Sequence, residues 1–434
     1  MLVLIEPLAK NRTHVFLVVV SLFFYSFAGL PLVALIIVSS LSDFVISSRL
    51  TTQYKKFWLF LGIGINLAFL FGVKIHYYYA INTQQEFSLI PLGISFYALQ
   101  SISYLIDVYK GKVARIEKFM HYLAYISFFP QLISGPIERC KKLYPQLALF
   151  RLAEPKHVLF GIRLFVIGMY LKLVIANRLA QPVISVAESL HFDLYFFING
   201  VMVFIYVYSD FFAYTLMARG IAAMFNINLS INFDRPFKRK TLSSFWGSWH
   251  MSLTNWMKDY FYIPIMLSLK KTFVQKIIFS GTTMVLVGLW HGIGWNFVLF
   301  GLINGIMMQL LPVLDRTTAG ASRFIPRFNN RLGLLLVMAV SGNLFLHGST
   351  EQLQAFLILD NYSLDFMAIP AEYIQRVFFV GLLATIPLWI HEFSNTSIFY
   401  RDFGWLKNVF IIFGVLTIVV LFGVPGGEHV YFAF

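Results

Sequence analysis

Long apolar runs separated by short polar loops dominate the sequence, and they limit the possible folds more than any other feature. Hydrophobic residues make up 58% of the 434 positions and charged residues only 12%, which is outside the range of soluble domains. At about 17–25 residues for one crossing, the runs predict about eleven transmembrane helices. They lie near residues 13–29, 31–47, 57–77, 89–106, 159–180, 197–225, 274–290, 293–312, 332–347, 375–391 and 406–424. We therefore expect an all-α polytopic membrane protein, built as a single integral membrane domain over residues 1–434.

The distribution of Lys and Arg predicts which loops face the cytoplasm. Basic residues lie in the loops at 48–56, 107–118, 136–158, 234–276 and 313–331, whereas the loop at 348–375 carries acids and no Lys or Arg. Because cytoplasmic loops hold an excess of Lys and Arg, we expect a cytoplasmic N-terminus and an extracytoplasmic C-terminus. The net charge of +14 is spread over these loops, so it predicts topology and no nucleic-acid partner.

Two segments of the chain are not expected to cross the membrane from one side to the other. The crossings agree with the basic loops only if residues 119–135 enter the membrane and return, and if 242–268 does the same or lies flat at the interface. Within the first segment, the stretch FFPQLISGPIER at 128–139 contains two prolines and a glycine that interrupt a helix. Gln131 in this stretch is a candidate contact for a polar ligand, and a structural role fits it equally well.

His291 is the first candidate for chemistry because it lies between two tryptophans in VGLWHGIGWN, at 287–296. An imidazole at membrane depth is costly unless it faces protein or a wet cavity, so an intramembrane histidine predicts a functional site. The glycines at 288, 292 and 294 would let a second backbone or a ligand approach. Trp290 and Asn296 are candidates for the wall of a passage. The alternative is a histidine hydrogen-bonded between packed helices, with glycines that serve helix contact.

A second histidine, His250, stands in SSFWGSWHMSL at 243–253, after the motif NFDRPFK at 232–238. A serine at 243 or 244 can cap a helix, and the apolar spacing predicts one continuous helix through this stretch. One face of that helix would carry Trp246, His250, Leu253 and Met257. Taken alone, His250 is better explained as a core histidine.

Two further residues limit the chemistry. Asp210 is an acid inside a long apolar span, where it must be neutral, paired or lining a wet tunnel. We favour a structural or tunnel-lining role for it over catalysis. Cys140 is the only cysteine, which excludes an internal disulfide and a multi-cysteine zinc site. We expect no bound metal.

These motifs together resemble the membrane-bound O-acyltransferase family, in its bacterial branch of alginate O-acetylation and teichoic-acid D-alanylation proteins. The similarity extends over nearly the whole chain, through the stretches at 91–109, 128–139, 232–264, 288–301 and 430–432. The resemblance implies a ring of transmembrane and re-entrant or interfacial helices around a central tunnel. It places the invariant histidine of the family on His291 and the second family histidine on His250.

Three segments depart from the family pattern. Residues 265–271 replace a glycine-rich turn, Leu216 stands where an acid is usual, and residues 342–347 lack the usual tryptophan and arginine. None of these positions is one of the two histidines. The departures leave the acyl donor and the subfamily open.

The resemblance implies acyl transfer from a thioester to a hydroxyl. In such a reaction a base takes the alcohol proton and a hydrogen-bond donor holds the developing oxyanion. A neutral imidazole suits the first role, so we predict that His291 is the general base. His250, or an indole N–H of Trp290 or Trp249, would orient the thioester carbonyl or stabilise the oxyanion.

The expected substrates follow from the same resemblance. The donor would be acetyl-CoA, another acyl-CoA or the thioester of an acyl-carrier protein, drawn from the cytosol and not held as a cofactor. The acceptor would be a hydroxyl of an extracytoplasmic polysaccharide, reached with an extracytoplasmic partner protein. A basic mouth would attract the anionic donor, and its residues would be Lys238, Arg239, Lys240, Lys270 and Lys271. These features predict a multi-pass protein in the lipid of a bacterial cytoplasmic (inner) membrane.

Three alternatives remain beside acetyl transfer. D-alanyl transfer from a carrier protein to teichoic acid belongs to the same family branch. A proton-coupled transporter would use His291 and Asp210 as relay groups. A non-catalytic scaffold for envelope enzymes would keep both histidines only for packing.

Overall fold

The computed structural model describes residues 9–82, 93–148, 151, 153–187, 194–267, 272–318, 331–346, 354, 358, 385–394 and 398–425. Over these ranges the regular structure is helical, without a β-strand, which confirms the predicted all-α class. Contacts between Cα atoms divide the chain into two compact units. Unit 1 comprises Met1–Ile167, Tyr214–Ile231 and Asp402–Gly414, and unit 2 comprises Gly168–Ala213, Asn232–Arg401 and Val415–Phe434.

Unit 1 contains the helices from the first part of the chain. They are α1 (Ala9–Ser26), α2 (Leu30–Arg49), α3 (Lys55–Asn82), α4 (Ile94–Tyr109), α5 (Phe119–Ile126), α6 (Phe129–Leu132), α7 (Cys140–Ala148) and most of α8 (Pro155–Tyr170). Buried polar groups join α2, α3 and α5, because Asn66 donates to Asp43 at 2.7 Å and Tyr122 donates to the same carboxylate at 3.3 Å. Such pairing satisfies groups that are costly to leave unpaired inside a membrane protein.

Unit 2 contains the C-terminal half of the described chain. After α8, a π-helical stretch, Leu171–Ala176, leads into α9 (Asn177–Ala187). The following helices are α10 (Leu194–Met224), α11 (Leu242–Trp246), α12 (Met251–Met257), α13 (Ile263–Leu267), α14 (Phe273–His291), α15 (Trp295–Thr318), α16 (Arg331–Leu346), α17 (Ile386–Phe393) and α18 (Trp405–Phe422). Helices α8, α10 and α18 contribute residues to both units.

Seven helices of the described chain are long and apolar enough to cross a membrane. They are Leu30–Arg49, Lys55–His76, Pro155–Ser185, Phe196–Met224, Phe273–His291, Trp295–Leu314 and Trp405–Phe422, and each overlaps a predicted span. Two other predicted spans correspond to shorter apolar helices, Thr13–Ser26 and Leu332–Leu346. Residues 375–384 of the predicted span at 375–391 lie outside the described residues, and its remaining part contains the start of α17 at Ile386. Of the acidic loop at 348–375, only residues 354 and 358 are described. The multi-pass class is therefore supported, whereas the count of eleven is not confirmed.

The helix break predicted around Pro130 is present in unit 1. Helix α5 ends at Ile126, and α6 contains only Phe129–Leu132. The chain then has no helix until α7 begins at Cys140. The placement of residues 119–135 as a re-entrant element stays a prediction.

Close backbone contact holds α14 and α15 of unit 2 as a helical hairpin. A Cβ atom at Gly301 would lie 2.5 Å from the carbonyl oxygen of Met284, and one at Gly305 would lie 2.6 Å from that of Ser280. Small residues four positions apart let two membrane helices approach in this way. The contact fixes the turn between the two helices, which is where His291 lies.

Candidate active site

His291 is the last residue of α14, at the point where the chain reverses into α15. A Cβ atom at Gly288 would lie 2.1 Å from the carbonyl oxygen of Phe297, so the predicted approach of a second backbone at these glycines is confirmed. The imidazole is buried, and its ring centroid lies 5.0 Å from that of Phe345 on α16. The helix end and its aromatic neighbours thus fix the position of the ring.

The continuous helix predicted through residues 243–257 is wrong. Helix α11 ends at Trp246 and α12 begins at Met251. His250 lies between them with a φ of 43°, in the left-handed region where an α-helix cannot continue. The cap of α11 is Thr241 and not a serine, since the Thr241 hydroxyl accepts from the Ser244 amide. The apolar spacing resembles a single helix, but His250 stands at the N-terminus of the second of two short ones.

Hydrogen bonds from the segment 232–234 hold both sides of His250. The carbonyl oxygen of Asn232 accepts from the Met251 amide at 2.8 Å, and the Asp234 amide donates to the Ser248 carbonyl at 3.1 Å. The Oδ1 atom of Asn232 also accepts from the Ser252 amide at 3.3 Å. Asn232 is fully buried. We call these three bonds the Asn232 clamp. The role of Asn232 could not be predicted from the motif at 232–238, because nothing in the local sequence links it to a residue 18 positions later.

His250 and His291 line the same cavity of unit 2, whose volume is about 460 Å³. Their ring centroids are 6.4 Å apart. The ring of Trp290 contacts both, with centroids 5.5 Å from His250 and 4.7 Å from His291. The remaining wall is largely apolar, with polar groups among the apolar ones. Its apolar residues include Leu253, Met257, Ile263, Met284, Val287 and Met308, and its polar residues include Ser243, Thr254, Asn255, Lys258, Thr283 and Gln309. We call this space the histidine cavity.

A second, much smaller cavity also reaches His291. Its volume is about 20 Å³, enough for about one water-sized group. Three residues, Trp246, Trp249 and His291, line both cavities and so form the partition between them. Trp246 was not predicted as a site residue. Its indole N–H donates to Asn304 on α15 at 3.2 Å. The other walls of the small cavity are Val203, Phe204, Val207, Phe300, Gly342 and Phe345.

The structure places the other predicted site residues as follows. Trp249 lines both cavities, and Trp290 contacts both histidine rings. Asp210 lies outside the lining of both cavities, because its carboxylate is buried in an ion pair with Lys172 at 2.7 Å. Asn296 also lies outside the lining and donates to the Leu344 carbonyl at 3.2 Å. Gln131 belongs to unit 1, where its amide donates to the side-chain oxygen of Gln100.

The predicted basic mouth is only partly described, since residues 268–271 lie outside the described ranges. Two of its cations engage neighbouring groups, because Lys238 donates to the Ser394 carbonyl at 2.9 Å and Arg239 pairs with Asp234 at 2.5 Å. The cation that lines the histidine cavity is Lys258.

The charge state of His250 follows from its burial. It lies between two candidate spans, those that end at Met224 and begin at Phe273. Burial lowers the pKa of the His250 imidazole to about 3, because a charged ring would lose its hydration. His250 is therefore neutral at physiological pH and can donate one hydrogen bond while it accepts another.

The fold and the site define a class: a polytopic helical membrane protein in which two buried histidines line one cavity. The sequence model of MBOAT, the membrane-bound O-acyltransferase family, matches residues 113–322, which include both histidines. The chain is 31% identical over 352 residues to a peptidoglycan O-acetyltransferase of Helicobacter pylori, covering 71% of this chain and 66% of that one. It is 30% identical over 345 residues to a probable alginate O-acetylase AlgI of Pseudomonas putida, covering 73% and 68%.

The chain belongs to the membrane-bound O-acyltransferase family, as the sequence motifs predicted. The similarity also reaches a teichoic acid D-alanyltransferase of Bacillus subtilis, with 27% identity over 230 residues, covering 50% of this chain and 58% of that one. The chain spans about two thirds of the length of the two O-acetylating relatives. The predicted O-acyltransferase class is thereby confirmed at the level of the family.

Proposed function

We propose that this protein transfers an acetyl group from a cytosolic thioester to a hydroxyl of an extracytoplasmic polysaccharide. The main support for the proposal is that His250 and His291 line one cavity, with their ring centroids 6.4 Å apart. Both O-acetylating relatives, named for peptidoglycan and alginate, match more than 70% of the chain. Their names give the substrate class that we extend to this protein.

The chemistry assigns one role to each histidine. His291 accepts the hydroxyl proton of the acceptor as its oxygen bonds to the thioester carbonyl carbon. The carbon–sulfur bond then breaks, and the thiolate leaves with the proton that His291 returns. His250, neutral at physiological pH, donates a hydrogen bond to the carbonyl oxygen and stabilises the charge that develops there. Trp290 packs against both rings and keeps their spacing.

The lining of the histidine cavity favours an acetyl over a D-alanyl donor. A D-alanyl thioester carries an ammonium group, and a buried cation requires an anionic or strongly polar partner. Among the described residues, the lining of the cavity includes Lys258 but no Asp or Glu. Acetyl is uncharged, and Lys258 suits the phosphates of a CoA thioester. D-alanyl transfer to teichoic acid therefore remains the second candidate.

A proton-coupled transporter would need Asp210 as one of its two relay groups. Asp210 is held in a buried ion pair with Lys172, and breaking such a pair leaves an uncompensated charge. A scaffold has no need of two histidines at one cavity. One assay separates the acetyltransferase from the transporter and the scaffold, with the purified protein, a polysaccharide acceptor and a radiolabelled acetyl thioester. Label in the polymer supports the proposal, whereas intact thioester and unlabelled polymer would support a transporter or a scaffold.

We further propose that the N-terminus is cytoplasmic and the C-terminus extracytoplasmic, in a bacterial inner membrane. The distribution of Lys and Arg supports this orientation. On a Cys140→Ser background, a Lys112→Cys variant should be labelled by a permeant thiol reagent only. Labelling of the same cysteine by an impermeant reagent added from outside would reverse the proposed orientation.

The Asn232 clamp gives a prediction for a positioning residue. Asn232→Ala removes the side-chain bond to the Ser252 amide, which loosens the left-handed turn at His250. We expect kcat to fall about 10²-fold, since a displacement of about 1 Å in a reacting group can cost this much, while the donor KM changes little. Gln53→Ala, at an exposed polar residue that lines none of the cavities, is the control. Equal kcat values for the two variants would remove the clamp from the mechanism.

A further inference from the structure

A cleft in unit 1, separate from the histidine cavity, lies between the first turns of α8 and the last turns of α10. Its volume is about 320 Å³. The two helices approach closely beneath it, because a Cβ atom at Gly161 would lie 2.5 Å from the Gly220 carbonyl oxygen. The segment 226–229 folds back over the end of α10 and closes one side of the cleft. The cleft is therefore built by packed backbone and not by surface side chains alone.

The lining of the cleft is divided into an apolar floor and a polar rim. Phe160, Leu164 and Ala223 form the floor, and His157, Arg219, Asn226 and Asn228 are the polar residues of the lining. His157, Phe160 and Leu164 lie at spacings of three and four on α8, which puts them on one helix face. Leu164 is buried, whereas His157 is exposed. The polarity therefore changes from apolar to polar toward the ends of the two helices.

The position of this rim along the helices places it at a membrane surface. His157 is the third residue of the candidate span Pro155–Ser185, and Arg219 lies five residues before the end of Phe196–Met224. At 1.5 Å per residue, Arg219 is about 7–8 Å from that end, a depth from which a long arginine side chain reaches the headgroup level. Arg219 is half-buried, and its Nε donates to the Leu229 carbonyl at 3.2 Å. This bond orients the guanidinium group at the cleft.

The charges of the cleft select an anion. In the part of the chain that the structure describes, the ionisable residues of its lining are Arg219 and His157, without an Asp or Glu. Two acids outside this lining interact with His157 as well as with other groups. Glu154 also pairs with Lys156 at 2.9 Å, and Asp402 also accepts from Asn408 at 2.8 Å. A guanidinium group binds phosphate in a bidentate manner.

We propose that this cleft binds an anionic phospholipid, with its phosphate on Arg219 and His157 and an acyl chain against Phe160 and Leu164. A basic pocket between transmembrane helices at the membrane surface has the chemistry that recognises such headgroups. The apolar floor distinguishes a lipid from a free phosphate group, which would gain nothing from Phe160 and Leu164. The proposal is independent of the acyl-transfer reaction, since no residue of the cleft lines the histidine cavity.

Binding of defined lipids to the delipidated full-length protein in detergent tests the proposal. We expect phosphatidylglycerol to bind at least tenfold more tightly than phosphatidylcholine. Arg219→Gln should weaken phosphatidylglycerol binding at least tenfold, because it removes the cation. Ala223→Phe should weaken it similarly by filling the floor while leaving both basic groups in place. Lys56→Gln, which removes an exposed cation of α3 outside the lining, should bind as the wild type does.

Competition separates a lipid from other sources of phosphate. Inorganic phosphate and CoA, each at the concentration of the lipid, should leave phosphatidylglycerol bound. Displacement by either compound would show that the cleft takes a free phosphate group and would overturn the lipid proposal. Wild-type lipid affinity in Ala223→Phe, or in a folded Arg219→Gln protein, would overturn it as well.

Discussion

His291→Ala is expected to lower acyl transfer by at least about 10²-fold and up to about 10⁴-fold, the usual contribution of a general base. His291 is the last residue of α14, and its side chain lines two cavities. Its removal takes away the proton acceptor but leaves the contact of Gly301 and Gly305 with α14 in place. Expression and the thermal stability of the purified protein should change little. The rate of label transfer from an acetyl thioester to the polymer measures the effect.

The control for His291→Ala is a histidine at an exposed position. His76→Ala changes an exposed residue of α3 in unit 1 and should keep the wild-type rate. If His291→Ala also kept the wild-type rate, His291 would not be the base. Loss of activity in both variants would point to a general effect of histidine removal on the fold.

His250 gives the second large effect, and its backbone conformation decides which variant is informative. The left-handed φ of 43° costs an alanine about 1–2 kcal/mol, so His250→Ala should both lose activity and lower the thermal stability. Asparagine adopts this conformation readily. We therefore expect His250→Asn to fold normally and to lower kcat by about 10²-fold, the loss that follows removal of one oxyanion donor.

The two His250 variants distinguish catalysis from packing. A catalytic role predicts low activity in both, with normal stability only in His250→Asn. A packing role predicts that His250→Asn keeps wild-type kcat, because the turn is retained. Thermal unfolding and kcat, measured on the same preparations, separate these outcomes.

The sequence predicted the parts of the site that depend on local pattern. The apolar runs gave the approximate bounds of α2, α10, α14 and α15. The predicted spans at 274–290 and 293–312 placed a helix end beside His291, and the glycines indicated a close backbone contact. Helix α14 ends at His291, and the close contact is present at Gly288. These features depend on residues that are close together in the chain, so they can be predicted from a single sequence.

The left-handed turn at His250 could not be predicted in this way. The spacing of Trp246, His250, Leu253 and Met257 fits one helix, but Asn232 and Asp234 hold the chain in a different conformation through hydrogen bonds from a distant segment. The ion-pair partner of Asp210 could not be predicted either, because Lys172 lies 38 residues away in another span. Tertiary contacts of this kind override local propensity and leave no local signal.

Transfer of an isotopically labelled acyl group to an envelope polymer directly tests whether this protein is an acetyltransferase that uses His291. Membranes that contain this protein should incorporate label from an acetyl donor into the polymer as a base-labile ester. Membranes that contain His291→Ala should not. Incorporation of labelled D-alanine in place of acetyl, dependent on a carrier protein, or equal acetyl incorporation by the His291→Ala membranes, would contradict the account.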